Sequence, residues 1–251
     1  MTRILLVGAC GKMGAAVAEC VRSDENLKIV GGVDFAERIC DFPVFHDFGK
    51  VNVEADVIID FSNVSLLDDI LSFALKNKIP AVIATTGYND EQIKKIHEAA
   101  KQIPIFFTFN MSIGVNLLCS LAKKAAQILG SNFDIEIVEK HHNQKLDAPS
   151  GTALMLANAV NEVFDDRLYY EYDRHSKRQK RTQNEIGIHS VRGGTIVGEH
   201  DVIFAGNDEV ITLSHQATSK AVFAAGAVKA AKFIVGKTAG LYEMKDVVSV
   251  E

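Results

Sequence analysis

The hydrophobic pattern of roughly the first hundred residues alternates short apolar runs with stretches of helical spacing. The apolar runs cover residues 3–8, 27–34, 56–61, 81–84 and 105–108. The helical stretches cover residues 13–22, 66–76 and 90–101. Strands that are apolar along their whole length, with helices between them, predict a parallel sheet covered by helices on both faces.

The pattern changes after about residue 130. Residues 133–138 place an apolar side chain at every second position, which is typical of a strand with one exposed face. Residues 196–204 and 210–215 predict two more such strands, and Gly206–Asn207–Asp208 supplies a turn between them. These strands indicate a mostly open sheet with one solvated face. We expect a last helical pattern, at 221–235, to return to the first domain.

The composition of the 251-residue chain, with 47% hydrophobic and 24% charged residues, is that of a globular protein with a substantial core. The net charge of −5 provides no global field that would attract nucleic acid or anionic lipid. No apolar run reaches the length of a membrane span, and the run at residues 4–7 is too short for a signal-peptide core. We therefore expect a cytoplasmic protein that binds neither nucleic acid nor membrane.

The cysteines, Cys10, Cys20, Cys40 and Cys119, include no C-x-x-C pair that would suggest a metal or redox site. A chain of this size does not need disulfides for its stability. We expect the thiols to be reduced and mostly buried.

A glycine-rich loop follows the first predicted strand and opens the first helix. Its spacing comes from Gly8, Gly11 and Gly14, while Cys10 occupies the place of the second glycine in the general G-x-G-x-x-G pattern. The N-terminus of the helix would present unpaired N–H groups to a pyrophosphate, and Lys12 could add positive charge. The alternative to a pyrophosphate site is that the three glycines only form a tight turn between the strand and the helix.

Two further features make a dinucleotide site the favoured interpretation. Asp34 ends the second strand, where an acid commonly accepts hydrogen bonds from the ribose hydroxyls of a bound cofactor. The loop at 84–87, Ala-Thr-Thr-Gly, ends a later strand at the carboxyl edge where ligands of such sheets lie. Taken by itself, this loop could equally be a capped helix start.

The predicted fold class is therefore α/β, with a Rossmann-type parallel-sheet domain and an α+β domain that has an open mixed sheet. We expect the dinucleotide-binding domain to comprise residues 1–111 and 220–251, and the second domain to comprise residues 112–219.

The residues around Asp34 also bear on the choice of cofactor. Its carboxylate would repel the 2′-phosphate of NADPH, and the neighbouring Phe35 supplies no cation. Arg38 is close enough in sequence to be a partner for that phosphate. We expect NADH to be at least as good a hydride donor as NADPH.

The stretch at residues 139–152, EKHHNQKLDAPSGT, concentrates groups that handle protons and anions. His141 can exchange a proton near neutral pH, and Lys145 can donate a proton or neutralise a carboxylate. Ser150 is placed to cap a helix over residues 151–159, and the start of that helix is a second anion site.

Other interpretations of this stretch remain open. A pair of histidines on a loop is often solvated or structural. Two histidines could also suggest a metal, but no third ligand lies at the usual spacing, since His200 and His215 are distant in sequence. We therefore expect no metal. Ser150 lacks the pattern of a base and an oxyanion hole, so capping explains it better than a nucleophilic role.

The segment from Glu139 to Ala153 resembles the E-x-H-H-x-x-K-x-D-A-P-S-G-T-A signature of the dihydrodipicolinate reductase family of bacterial lysine and diaminopimelate synthesis. Residues 8–14 are similar to the opening G-x-x-G-x-M-G of this family. Other similar stretches are found at 84–87, 109–116, 191–204 and 213–220. The resemblance therefore spans nearly the whole chain.

The resemblance implies reduction of a cyclic unsaturated dicarboxylate imine to tetrahydrodipicolinate with NADH or NADPH. His141 would be the proton donor and acceptor, and Lys145 the second proton donor. The implied ligands of the substrate carboxylates are His142, Ser150, Gly151 and Thr152. The implied cofactor-binding residues are Gly8, Ala9, Cys10, Gly11, Lys12, Met13, Asp34, Ala84, Thr85, Thr86, Thr108, Phe109, Asn110 and Met111.

The family is usually tetrameric through the sheet of its second domain, so the resemblance implies a homotetramer with substrate binding and oligomerisation in residues 112–219. There are departures from the family pattern. The family often has basic residues at the positions of Asn143 and Gln144, which implies a weaker positive field here. It commonly has arginine where this chain has Lys220, and lysine lacks the planar fork of a guanidinium.

Three rival functions stay open at this point. The basic run at 174–181, RHSKRQKR, could belong to an NADH-sensing transcriptional repressor, but no helix-turn-helix pattern accompanies it and a solvated loop explains it better. Another two-domain dehydrogenase, of the aspartate-semialdehyde type, would need a reactive cysteine. Cys119 lies in an apolar helical pattern at 115–128, where an inert thiol is expected. The third rival is a binding protein that has lost catalysis.

Overall fold

The computed structural model of the protein describes residues 1–36 and 38–248. The chain divides into two compact units: unit 1 is Met1–Ile113 with Lys220–Glu251, and unit 2 is Gly114–Ser219. The strands of the described residues are β1 (Thr2–Val7), β2 (Leu27–Val33), β3 (Val44–Phe45), β4 (Val57–Asp60), β5 (Ala81–Ile83), β6 (Pro104–Phe107), β7 (Asp134–His141), β8 (Tyr169–Glu171), β9 (Glu185–Arg192), β10 (Gly198–Ala205), β11 (Val210–Ala217) and β12 (Gly240–Tyr242). The α-helices in the same ranges are α1 (Lys12–Arg22), α2 (Leu67–Asn77), α3 (Asp90–Ala100), α4 (Ile113–Leu129), α5 (Gly151–Asn161), α6 (Ala221–Ile234) and α7 (Met244–Val248). Across these ranges, none of the helices combines the length and the apolar character that crossing a membrane requires.

Unit 1 is built on a parallel sheet whose strand order, over the described residues, is β12-β6-β5-β4-β1-β2-β3. In β1, Ile4 and Leu6 belong to the core cluster shared with α1 and α6, whereas Leu5 and Val7 belong to the cluster shared with α2 and α3. The strand is apolar along its length because both faces of the sheet are covered. The predicted Rossmann-type sheet is confirmed, and its predicted strands and helices end within one residue of the observed bounds.

The sequence pattern does not predict β3 and β12, the strands at the two edges of this sheet. They contain two and three residues. Segments this short cannot show a hydrophobic period, so only the packing of the folded chain identifies them.

Helix α6 packs closely against the segment that follows β6, and Gly226 permits this approach. A Cβ atom at Gly226 would stand 1.7 Å from the carbonyl oxygen of Met111, whereas real Cβ atoms essentially never come within 3.0 Å of such an atom. We expect Gly226→Ala to lower the free energy of unfolding by about 2 kcal/mol or more. The steric cost exceeds the roughly 1 kcal/mol that alanine gains over glycine inside a helix.

Thermal unfolding followed by circular dichroism measures this effect, and a melting temperature lower by about 5 °C or more is expected for a chain of this length. Gly151→Ala is the matched control, because a Cβ atom there would meet no heavy atom within 4 Å. Equal melting temperatures for the two variants would contradict the close packing at Gly226.

Unit 2 contains a mixed sheet whose strand order, within the described residues, is β11-β10-β7-β9-β8. Strand β7 pairs antiparallel with β10 and parallel with β9. One face of the sheet carries Ile135 and Ile137, which form a core cluster with Leu156 and Val160 of α5. Alternate residues of β7 on the other face, such as Val138, are partly exposed. The predicted α+β domain with an open mixed sheet is confirmed.

The sequence pattern also misses β8 and β9. The first four residues of β9, from Glu185 to Ile188, are all buried, so the polar–apolar alternation of a surface strand is broken there. Burial of the Glu185 carboxylate is possible because Arg174 pairs with it. Because Arg174 lies outside the strand, this ion pair leaves no signal in the hydrophobic pattern of β9.

The basic run at 174–181 is exposed over residues 175–180, as expected of a solvated loop, whereas Arg174 and Arg181 are partly buried. Arg174 and Arg181 contact the carboxylate of Glu136 at 2.6 and 2.9 Å, and Lys177 pairs with Glu171. These contacts attach the basic run to the sheet of unit 2. The three charges are therefore already paired, and they no longer support a nucleic-acid interface.

Cys10, Cys20, Cys40 and Cys119 are free thiols, and each is partly buried. Burial raises the pKa of the Cys119 thiol to about 12, which disfavours the thiolate that a reactive cysteine requires.

Candidate active site

The carboxyl ends of β1, β4 and β5 lie side by side at one edge of the parallel sheet in unit 1. Gly8, after β1, has a φ of +78°, and a Cβ atom on it would stand 2.4 Å from the carbonyl oxygen of Phe61. A Cβ atom on Gly14 would stand 2.4 Å from the carbonyl oxygen of Gly8. Only glycine fits at these two positions. The loop can therefore pack closely against the sheet edge.

The N-terminus of α1 begins in this loop. Gly11 is its N-cap residue, and no side chain of the described residues caps it. Lys12 is exposed at the first helical position, and Met13 follows it half-buried. Backbone N–H groups at such a terminus can hold an anion, so the residues present fit the pyrophosphate of a dinucleotide.

Asp34 is fixed to the glycine loop by hydrogen bonds. Its carboxylate accepts from the N–H groups of Cys10 at 2.8 Å and of Ala36 at 2.9 Å. A cleft of about 520 Å³ lies beside this turn and is lined by Ala36, Arg38, Ile39, Val44 and His46. Among the described residues, the neighbourhood predicted for the adenosine ribose includes the carboxylate of Asp34 and the basic side chains of Arg38 and His46.

A buried polar network connects the ends of β4 and β5. The carboxyl group of Asp60 is fully buried and accepts from the N–H of Ser62 at 2.9 Å and from the hydroxyl of Tyr88 at 3.3 Å. The same N–H lies 2.9 Å from the hydroxyl of Thr85. Burial raises the pKa of Asp60, and these hydrogen bonds oppose the rise. The N–H of Ala84 also donates to the carbonyl oxygen of Asp60 at 3.0 Å, so Ala84 and Thr85 of the second predicted cofactor loop, which continues to Thr86, are attached to the end of β4.

The third predicted cofactor segment, Thr108 to Met111, follows β6. Phe109 is 69% exposed, and its ring centroid lies 5.5 Å from that of Phe107. The side-chain oxygen of Asn110 accepts from the N–H of Ser112 at 2.8 Å. Met111 and Ala9 are buried in the core, so only their backbone groups can reach a ligand.

In unit 2, His141 is the last residue of β7, so the expectation that both histidines lie on a loop is wrong for His141. The strand extends this far because His141 pairs with Arg192 of β9, and its carbonyl accepts from the N–H of Gly193 at 2.9 Å. His142 is the first residue beyond the strand and is partly exposed. The two histidines therefore have different environments, with the His141 side chain only 11% exposed.

Glu139 lies on the same face of β7 as His141 and is fully buried. Arg192 donates to both of its oxygens, at 2.7 and 2.8 Å. The N–H of Ser150 donates to Oε1 at 3.1 Å, and Nδ1 of His141 lies 2.6 Å from Oε2. Burial works to raise the pKa of Glu139, but the hydrogen bonds from Arg192 and His141 prevail and lower it to about 2. Glu139 is therefore a carboxylate at neutral pH.

Burial lowers the pKa of the His141 imidazole, and the hydrogen bond to Glu139 opposes this effect. His200 of β10 packs edge-on against this imidazole, with ring centroids 5.2 Å apart. Nε2 of His200 lies 3.1 Å from the hydroxyl of Ser150, and burial lowers the pKa of His200 to about 4. The fold thus brings His200 to the site although it is far away in sequence.

Ser150 caps α5 as predicted, because its hydroxyl accepts from the N–H of Ala153 at 3.2 Å. Its N–H and its hydroxyl both have partners within the protein, namely Glu139, His200 and the N–H of Ala153. Gly151 is exposed at the helix start, and Thr152 follows it. The ammonium of Lys145 lies 2.8 Å from the carboxylate of Asp147 on the turn before the helix.

The sequence motif located His141, Lys145 and the start of α5, but it did not identify the partner of Glu139. Glu139 follows the apolar Ile135 and Ile137 on the buried face of β7, and a buried carboxylate requires a cation. That requirement was visible in the sequence, whereas the identity of Arg192, 53 residues away, depends on the pairing of β7 with β9. Among the described residues, no group of three or more His, Cys, Asp or Glu is arranged to hold a metal ion.

A Rossmann-type sheet with an open helix terminus, joined to a second unit that holds an ionisable His–Glu pair, defines the chain as an oxidoreductase with a dinucleotide-binding domain. Residues 2–111 match the family model described as dihydrodipicolinate reductase, N-terminus, and residues 114–248 match the one described as dihydrodipicolinate reductase, C-terminus. The chain therefore belongs to the dihydrodipicolinate reductase family. This assignment excludes two of the rival interpretations, the transcriptional repressor and the aspartate-semialdehyde type of dehydrogenase.

Similar proteins cover the chain from end to end. It is 54% identical over 248 residues to the 4-hydroxy-tetrahydrodipicolinate reductase of Caldanaerobacter subterraneus subsp. tengcongensis, covering 99% of this chain and 98% of the relative. It is 50% identical over 245 residues to the enzyme of the same name from Clostridium tetani, covering 97% and 96%. The solved structure of a dipicolinate-bound dihydrodipicolinate reductase from Paenisporosarcina sp. TG-14 matches it with a TM-score of 0.82 at 27% identity, covering 99% of this chain and 100% of that one.

Proposed function

We propose that this protein catalyses the NAD(P)H-dependent reduction of 4-hydroxy-tetrahydrodipicolinate, by way of dihydrodipicolinate, to tetrahydrodipicolinate in lysine and diaminopimelate synthesis. The observation that carries the proposal is the placement of His141: its ring is held by a buried carboxylate and lies close to the start of α5. The site thus combines a group that can exchange a proton with a helix terminus that can bind an anion. A relative with bound dipicolinate supports a small dicarboxylate as the ligand.

The residues of unit 2 supply binding and proton transfer in this proposal. His142, Ser150, Gly151 and Thr152 bind the carboxylates of the substrate, and the ammonium of Lys145 neutralises one of them or donates a proton. His141 exchanges its proton at Nε2, because Nδ1 faces Glu139. A bound dicarboxylate adds negative charge beside His141, which raises its pKa and lets it act as an acid near neutral pH.

The cofactor-binding residues of the proposal are those at the sheet edge of unit 1: Gly8, Ala9, Cys10, Gly11, Lys12, Met13, Asp34, Ala84, Thr85, Thr86, Thr108, Phe109, Asn110 and Met111. A nicotinamide cofactor bound there supplies the hydride. One hydride and one proton convert dihydrodipicolinate into tetrahydrodipicolinate and leave the oxidised cofactor, so one proton must come from the protein or from water. Closely fitted glycines and an uncapped helix N-terminus support this assignment.

A coupled assay tests the proposal. The upstream synthase generates the unstable substrate in place, NADH or NADPH is added with the protein, and the loss of absorbance of the reduced nicotinamide is followed. We expect substrate-dependent oxidation of at least one donor. If the folded protein oxidises neither, the proposal fails, and a binding protein without catalysis becomes the better interpretation.

The same assay measures cofactor preference. We expect kcat/KM for NADH to be at least equal to that for NADPH, because the carboxylate of Asp34 repels a 2′-phosphate. Arg38 and His46 beside the cleft oppose this effect. Asp34→Asn, which removes the repulsion, should shift the ratio of the two kcat/KM values toward NADPH. A tenfold or larger preference of the unaltered enzyme for NADPH would contradict the expectation.

We also propose a cytoplasmic homotetramer assembled through the open face of the sheet in unit 2. That face carries apolar residues that are only partly covered, including Val138, Val191 and Ile203. Light scattering coupled to size exclusion measures the assembly. A monomer at micromolar concentration would contradict this part of the proposal.

A further inference from the structure

The ion pair between Glu139 and Arg192 lies behind the proposed proton donor. Glu139 accepts from two nitrogens of Arg192, from the N–H of Ser150 and from Nδ1 of His141. Nη2 of Arg192 also donates to the carbonyl oxygen of Asp147 at 2.6 Å, and this contact joins Arg192 to the turn before α5. One buried pair therefore contacts both the histidine and the turn that leads to the helix.

The chemistry of these contacts fixes the state of the histidine ring. A carboxylate has no proton to give, so Nδ1 of His141 must carry the hydrogen of the 2.6 Å contact. Nε2 is then the atom that exchanges a proton with a ligand. Gly198 of β10 leaves room on that side of the ring, because a Cβ atom there would stand 3.2 Å from Nε2 of His141.

We propose that Glu139 and Arg192 are positioning residues: together they hold His141 in the tautomer with Nε2 available, and they anchor the turn from Asp147 to Ser150 at the start of α5. The proposal rests on the proposed function, in which His141 transfers a proton. It adds a division of labour within the pair. Glu139 favours the protonated ring, whereas Arg192 holds the Glu139 carboxylate in place.

The charged and titratable groups that face His141 come from four segments. Glu139 lies on its own strand, Arg192 on β9, His200 on β10, and Lys145 on the loop that follows β7. Burial lowers the pKa of His141 most strongly, Glu139 raises it, and the positive charges of Lys145 and Arg192 lower it further. Removing the charge of Glu139 should therefore lower the pKa of His141, and removing that of Arg192 should raise it.

Two variants test the pair in opposite directions. In Glu139→Gln the amide can donate to Nδ1, which selects the wrong tautomer and removes the negative charge. We expect kcat to fall by about 100-fold, the lower range of what general acid catalysis contributes, and the alkaline limb of the pH profile to move to lower pH. In Arg192→Gln the same limb should move to higher pH. A purely structural role would lower activity in both variants without opposite shifts.

Glu136→Gln is the matched control. Glu136 also lies on β7 and also pairs with arginines and a histidine, namely Arg174, Arg181 and His189, but on the opposite face of the sheet. Removal of the Glu136 charge should lower the free energy of unfolding and leave the titration of His141 unchanged. Glu139→Asp keeps the charge and should retain part of the turnover. Glu139→Ala, which also removes the negative charge, replaces Glu139→Gln in the test if the latter does not fold.

The decisive measurement is the NMR titration of His141 in the unliganded full-length protein, with histidine labelled and the signal assigned by His141→Gln. Opposite pKa shifts in Glu139→Gln and Arg192→Gln are expected. Shifts in the same direction, or none in either, would overturn the proposal. Because the titration needs no turnover, its outcome is independent of the coupled assay: opposite shifts without oxidation of NADH or NADPH would reject the proposed reaction and retain the pair.

Discussion

Replacement of His141 by alanine is expected to lower kcat by at least about 100-fold, the scale of a lost general acid. The ring is held in one orientation by a buried carboxylate, and an imidazole can change its charge near neutral pH. Alanine removes Nε2 and leaves the Glu139–Arg192 pair in place. The coupled assay measures kcat and KM for the substrate.

Cofactor binding separates this effect from misfolding. The affinity for NADH, followed by the fluorescence of the bound nicotinamide, should be unchanged in His141→Ala because the predicted cofactor residues lie in unit 1. His97→Ala, at an exposed position on α3, is the control and should retain full turnover. Retained turnover in His141→Ala would remove this residue from its proposed role. A rise in KM with kcat unchanged would make it a binding residue.

How far the sequence predicts the fold depends on the kind of burial. In unit 1 the central strands are largely buried on both faces, so most of their residues are apolar and their bounds are readable to within one residue. In unit 2 the strand β7 is also readable, because its alternate side chains face a core and an open side. Strand β9 is not readable in this way, because it contains the buried Glu185, whose carboxylate pairs with Arg174 outside the strand.

The candidate site shows the same limit. The spacing of His141, Lys145 and Ser150 along the chain is itself the motif, so a sequence contains it directly. The carboxylate that orients His141 could be inferred from an acid on an apolar strand face, but its partner Arg192 and the neighbouring His200 reach the site through strand pairing. Such long-range pairs are fixed by the register of the sheet, which the local pattern does not specify.

Substitution of Lys145 by methionine is expected to lower kcat by at least about 100-fold as well, and the comparison with Lys145→Arg tells which of two roles is lost. Methionine keeps much of the length of the side chain but removes the ammonium that pairs with Asp147 at 2.8 Å. Arginine keeps the positive charge, and it does not release a proton at the pH of the assay.

If Lys145 donates a proton, Lys145→Arg should therefore lose kcat to the same extent as Lys145→Met while KM changes little. If Lys145 only neutralises a carboxylate, arginine should restore kcat and the methionine variant should show mainly a raised KM. Lys124→Met, at an exposed position on α4, is the control for removal of a surface ammonium. Turnover near that of the unaltered enzyme in Lys145→Met would exclude both roles, and the proton balance would then depend on His141 and solvent.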